Sequence, residues 1–209
     1  MPRPRTFDER DVVARAGRAF AVSGYAGTSL DDLLSATGLA RQSLYNAFGG
    51  KRELFLRAFL SDTAEAVQTV EAIRHGTDSP IGRIRAHLVR TAVEHGSGQA
   101  LPSLFTKAAV ELSASDPAVA TAVAQAFSAQ QAHYAACILE AQSAGEVDSG
   151  ADAEALGAFF CALIEGMTML GGSGVSRAAL SSMALTGLAA IPLTETGRQN
   201  LGTQDGEWA

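Results

Sequence analysis

Six side chains in one short stretch, Arg41, Gln42, Ser43, Tyr45, Asn46 and Lys51, have the chemistry needed to read a nucleic acid. Arginine pairs with guanine O6 and N7 or with a phosphate, glutamine and asparagine with adenine N6 and N7, and serine and tyrosine hydroxyls with phosphate oxygens. On a helix over about 40–48 the buried positions are Leu44 and Phe48, so the first five polar residues share its outer surface. Lys51 follows Gly49-Gly50 at the start of the next helix, where its ammonium and the nearby amide dipoles can face one phosphate.

Two other constellations carry donor atoms. His133, Cys137 and Glu140 stand at i, i+4 and i+7, which is metal-like spacing, but no second cluster completes four ligands, so no metal site is expected. A buried polar edge or the wall of a ligand pocket is the reading that fits. His87, Arg90, Thr91 and Glu94 line another helical face, which is either a solvated face or a contact for an acidic or polar effector. The candidate effector-pocket residues are therefore His87, Arg90, Thr91, Phe105, His133, Cys137 and Phe160. Cys137 and Cys161 are the only cysteines, with no C-x-x-C pair, which excludes a disulfide scaffold and a cysteine zinc ribbon. Cys161 reads as a small core residue. No nucleophile elbow, P-loop or dinucleotide fingerprint is present, so neither an enzyme nor a cofactor is expected.

The elements that must position these residues are helices. Hydrophobic residues make up 47% of the 209 and charged residues 18%, enough for a sizeable core and too little charge for wholesale disorder. Alanine is abundant and aromatics are only 6%, which favours close-packed helices over a β-sandwich. Val12, Ala16, Ala19 and Phe20 repeat at helical spacing before Gly24. Leu30, Leu33 and Leu34 mark a short helix that Thr28 with Asp31, or Ser29 with Asp32, can cap. Gly38 supplies a left-handed turn and Leu39 plugs the angle to the helix bearing Arg41. Lys51 to about Ile73 is one long helix. Ser79-Pro80 and Asp116-Pro117 each read as an N-cap followed by an N1 proline, with a shorter helix between them over 102–112. Leu156, Phe159, Phe160, Leu163, Met167 and Leu170 keep helical rhythm, and Ser176 can cap a last helix with Leu180, Met183, Ala184, Leu188 and Ile191. This apolar pair either completes the monomer's core or forms half of a four-helix bundle with a second copy. Residues 193–209 are polar and expected to be a mobile tail.

Charge is uneven. Residues 1–60 hold nine Lys and Arg against six Asp and Glu, whereas the rest hold seven against sixteen, so the net −6 hides a positive front quarter. Such a module on an acidic body can still bind a polyanion, because screening confines each charge to about 8–10 Å. No signal peptide opens the chain, and the uncharged stretch 117–139 is too polar for a membrane span, so a cytoplasmic protein is expected.

Gly24-Tyr25, Thr28, Leu33, Gly38, Leu39, Leu44, Tyr45, Phe48, Lys51 and Leu54 together resemble the DNA-binding domain of the TetR (tetracycline-repressor-like) family of transcriptional regulators. The resemblance covers residues 5–60. It implies an all-α protein: a three-helix helix-turn-helix head over 1–50 and a helical effector-binding and dimerisation body over 51–192. It implies double-stranded operator DNA as partner, with Thr28, Ser29, Arg41, Gln42, Ser43, Tyr45, Asn46 and Lys51 at the contact. It further implies a homodimer through Leu156, Phe159, Phe160, Leu163, Met167, Leu180, Ala184 and Leu188, and release by a small-molecule effector of unknown identity. Arg3 and Arg5 are either a minor-groove arm or a loose tail. Four positions depart from the family pattern: Ala40 for a Ser or Thr cap, Gln42 for Gly, Asn46 for His, and Ala47 for an aromatic.

Overall fold

The computed structural model describes residues 7–98 and 102–202. Ten helices follow one another among them: α1 (Glu9–Gly27), α2 (Leu30–Thr37), α3 (Arg41–Phe48), α4 (Lys51–Ile73), α5 (Pro80–His95), α6 (Leu104–Leu112), α7 (Pro117–Ser143), α8 (Ala153–Gly172), α9 (Arg177–Ala189) and α10 (Glu195–Gly202). The only β feature in that range is an isolated antiparallel bridge between Val147 and Leu193. Arg3, Arg5 and Trp208 lie outside the described residues.

Local signals set most boundaries. Ser79 accepts the Gly82 N–H at 3.2 Å with Pro80 at the first helical position, and Asp116 accepts the Ala118 N–H at 3.0 Å before Pro117. Ser103, Asp152 and Ser176 cap α6, α8 and α9 in the same way.

The chain forms two compact units, one from Met1–Glu65 with Leu101–Ala124, the other from Ala66–Ala100 with Gln125–Ala209. A head ending at residue 50 stops at the turn before α4; the first unit runs on into α4 and takes in α6. Its interior is a file of aromatic rings: Phe20 meets Phe55 edge-on at 5.2 Å, Phe55 stacks on Phe59 at 6.0 Å, and Phe59 stacks on Phe105 at 6.3 Å. Burial of these rings is the main force holding α1, α4 and α6 together.

The second unit closes around Ile81, Ile84, Leu88, Tyr134, Ile138, Phe160, Met167 and Leu180, contributed by α5, α7, α8 and α9. Among the described helices α8 alone is long and apolar enough to cross a membrane, yet Gly157, Phe160, Ile164, Met167 and Gly171 on it are buried in this core. The expected mobile tail is corrected in part. Residues 195–202 form α10, which packs on α5, and Asn200 donates to the buried Glu146 carboxylate at 2.6 Å. The other Glu146 oxygen accepts the Ile81 N–H at the start of α5.

Candidate nucleic-acid interface

The helix-turn-helix is assembled by caps. Ser29 Oγ accepts the Asp32 N–H at 3.1 Å, and the Asp32 carboxylate accepts the Ser29 N–H at 2.8 Å, a reciprocal capping box that starts α2. The Ser29 hydroxyl and amide hold the Asp32 carboxyl below its ordinary pKa. α2 ends at Gly38, whose φ of 73° is left-handed and whose N–H donates to Leu34 O at 2.9 Å. α3 begins at Arg41 behind Ala40, which makes no side-chain cap bond, an omission costing about 1 kcal/mol. Leu44 and Phe48 are buried, while Arg41, Gln42, Tyr45 and Asn46 are exposed and Ser43 is half-buried.

On that face the polar groups are already ordered. The Arg41 guanidinium donates to Asp31 Oδ1 at 2.7 Å across the α2–α3 turn. Gln42 Nε2 donates to Asn46 Oδ1 at 2.9 Å, so the Gln42 carbonyl and Asn46 amino group offer an acceptor and a donor one turn apart. The Lys51 ammonium stands 4.4 Å from the centre of the Tyr25 ring. Beside it, Arg52 donates to Asp116 at 2.8 Å, which lowers the Asp116 pKa.

Thr28 departs from the sequence expectation. It is buried, and its hydroxyl donates to Gly24 O at 2.7 Å, so it does not cap α2. Ser29 takes the capping role one residue later.

In the second unit His87 Nδ1 and Tyr134 Oη share a buried hydrogen bond of 2.9 Å, with the Phe160 ring 6.0 Å from that of Tyr134. Burial, aided by the Arg90 charge, pushes the His87 pKa down to about 4, so the imidazole is neutral. Thr91 is buried with its hydroxyl on His87 O, whereas Arg90 is exposed toward Glu94. Cys137 shares the core, and His133 is only half-buried. Glu140 is taken by Arg83 at 2.6 Å and Arg74 at 3.4 Å, which hold its carboxyl low, so the His133–Cys137–Glu140 row does not converge. Phe105 stacks on Phe59 in the first unit.

The expected dimer residues separate into two sets. Phe160, Met167, Leu180 and Ala184 are fully buried and Leu188 nearly so, which removes them from any surface; they hold the monomer's core. Phe159 is 39% exposed, and Leu156 and Leu163 are half-buried. Phe159, Leu163, Ser182, Met183, Thr186 and Gly187 line an almost wholly apolar groove of about 350 Å³ between α8 and α9.

Comparison with known proteins decides the family. Residues 12–58 match the model described as bacterial regulatory proteins, tetR family, and residues 80–179 match the tetracyclin repressor-like C-terminal domain. The chain belongs to the TetR family of transcriptional regulators. It is 54% identical over 61 residues to the uncharacterized HTH-type transcriptional regulator YezE of Bacillus subtilis (strain 168), covering 29% of this chain and 31% of that one. The matched segment thus spans about a third of that relative's length. To the HTH-type transcriptional repressor DhaR of Mycobacterium sp. (strain GP1) it is 26% identical over 149 residues, 68% of this chain and 71% of that one. Among solved structures it resembles a cysteine mutant of the TetR family transcriptional regulator CifR complexed with 26 bp double-strand operator DNA. That likeness has a TM-score of 0.80 at 26% identity and covers 91% of this chain and all of that chain.

The first TetR match spans α1 to the start of α4, and the second runs from the start of α5 into α9. Three participants escaped the sequence reading: Asp31 as partner of Arg41, Glu111 on α6, and Tyr134. Only Asp31 carried a signal, as an acid at the start of the helix preceding the reading helix. The Glu111 carboxylate accepts the Tyr25 and Ala26 amides, 86 and 85 residues away in sequence.

Proposed function

We propose that the protein is a homodimeric, sequence-specific DNA-binding repressor that a small-molecule effector releases from a palindromic operator. The observation that carries this reading is the exposed face of α3, where Arg41, Gln42, Tyr45 and Asn46 stand on a rigid helix with Lys51 at the start of the next. Such a helix enters the major groove N-terminus first, so Arg41, Gln42 and Ser43 lead toward base edges while Tyr45, Ser29 and Lys51 meet phosphates. The CifR complex with operator DNA supports the same use of the fold.

Dimerisation through the exposed stripe of α8 and α9 supplies what one head lacks. Two heads address half-sites about 34–36 Å apart, which makes the operator palindromic. The effector acts in the second unit, where the buried His87–Tyr134 pair offers a polar anchor in an apolar core. A hundredfold loss of operator affinity requires the effector to favour the released state by about 2.7 kcal/mol. The family-level reading is a cytoplasmic regulator and not an enzyme.

Selection of duplexes from a randomised library, followed by gel shift at two salt concentrations, tests the proposal. A selected duplex should bind far more tightly than random sequence, with affinity falling steeply as salt rises. Arg41→Ala and Tyr45→Ala should each weaken binding without changing dimer mass. A folded protein that ignores every duplex in dilute salt would overturn the reading.

A further inference from the structure

We infer that Asp31 is a specificity-determining residue of the α3 face: it occupies the Arg41 guanidinium, so that a phosphate of random duplex must displace a carboxylate to engage it. The inference rests on the DNA-binding reading of α3.

Asp31 lies in the first turn of α2, but the cap of that helix is made by Ser29 and Asp32, which leaves the Asp31 carboxylate for another task. It reaches across the turn to Arg41 Nη2 at 2.7 Å. Arg41 is the first residue of α3, a cation at the positive end of a helix dipole, behind an Ala40 that contributes no side-chain acceptor. A carboxylate at this point relieves the repulsion and holds the guanidinium in place. The Asp31 and Arg41 side chains are 79% and 56% exposed, so the pair is weak and exchangeable, altering an equilibrium by a factor of about 1.4–5.

The consequence follows from ion exchange. A free surface cation that meets a phosphate releases a condensed counterion, and this drives non-specific binding. With Asp31 beside it, Arg41 approaches the duplex as part of a nearly neutral pair, so it is attracted less strongly and displaces fewer condensed counterions than a free cation would. Random duplex therefore gains little from Arg41. An operator guanine adds two directed hydrogen bonds at one register and outweighs the exchange. Asp31 thus lowers background affinity more than operator affinity.

The test measures anisotropy with the selected operator and with a scrambled duplex over a salt series, for wild type, Asp31→Asn, Arg41→Ala and the double variant. Asparagine is isosteric and leaves the Ser29–Asp32 cap intact; thermal melting checks the fold. Asp31→Asn should bind the scrambled duplex about 2–5-fold more tightly, steepen the log K against log salt slope by about one, and lower the operator-to-scrambled ratio by a similar factor. In the Arg41→Ala background the same change should have a distinctly smaller effect, limited to the repulsion that the lost carboxylate itself exerted. An unchanged slope, or an equal shift without Arg41, would overturn the inference while leaving DNA binding in place. Wild type that binds neither duplex would overturn the DNA face itself, and Asp31's role with it.

Discussion

A Cβ atom on Gly24 would stand 2.7 Å from Glu111 Oε2, so the α6 carboxylate fills the space that a side chain in α1 would need. Gly24 has φ 75° and ψ 172°, a conformation essentially reserved for glycine, and it breaks the helical ladder of α1. The Tyr25 and Ala26 amides lose their helical acceptors there and donate instead to Glu111, at 2.8 and 2.6 Å. One turn earlier on α6, the Lys107 ammonium donates to Val22 O on the other side of the break. The break and the acid are one feature, and the Tyr25 ring it fixes lies under Lys51.

Gly24→Ala should therefore destabilise the protein by about 1–3 kcal/mol in urea unfolding, chiefly through backbone strain. Glu111→Ala should cost about 1 kcal/mol, because two charge-assisted bonds are lost at a partly exposed junction. Both changes disrupt the same junction, so the double variant should lose less than the sum of the two. Full additivity would show that Glu111 and the break are independent.

What the sequence made legible was local. The capping signals at Ser79-Pro80 and Asp116-Pro117, the Gly38 turn and the polar face of α3 are each set by residues within a few positions of one another, and they stand as expected. Thr28 and Ser29 present the same capping chemistry one register apart, and only packing, which buries Thr28, chooses between them. α8 is apolar on two adjacent sides, so periodicity could not separate Phe160, which fills the core, from Phe159, which does not. α10 was hidden because its sequence is polar and its anchor, Glu146, lies about fifty residues upstream. Glu111 had no local signal at all.

That separation of neighbours on α8 gives a paired test. Phe159→Glu places a charge on the exposed stripe and should yield a folded monomer, seen as halved mass in light scattering with little change in melting temperature. Phe160→Glu places an unpaired charge in a fully buried site and should prevent stable folding, the outcome expected of an uncompensated buried carboxylate. A Phe159→Glu protein that remains a dimer would move the interface away from α8 and α9.

The two cysteines should be chemically quiet. Burial and the Glu165 charge push the Cys161 pKa up to about 12, and burial raises that of Cys137. Thiolate is the reactive form, so neither thiol presents one near neutrality. Iodoacetamide at pH 8 should leave both unmodified in the native protein and label both after urea unfolding, as read by mass spectrometry. Alkylation of the folded protein at the rate of a free cysteine would contradict this.

His87 sets a pH dependence whose sign is fixed. Its pKa is about 4 in the fold, against an ordinary value of 6.5, so the unfolded chain binds the extra proton first as pH falls. Its contribution is fully present above pH 6.5 and is lost progressively between 6.5 and about 4, at up to about 1.4 kcal/mol per pH unit. His95, also lowered by burial, acts in the same direction. Exposed carboxylates with ordinary values near 4 stay largely ionised in both states down to about pH 5.5. Urea unfolding at intervals from pH 7.5 to 5 should therefore show wild-type stability falling by roughly 2 kcal/mol more than that of His87→Gln, whose amide can still pair with the Tyr134 hydroxyl but cannot titrate. Parallel curves for the two proteins would mean that His87 takes up its proton in the fold at the same pH as in the unfolded chain, and that its burial beside Tyr134 does not keep the imidazole neutral.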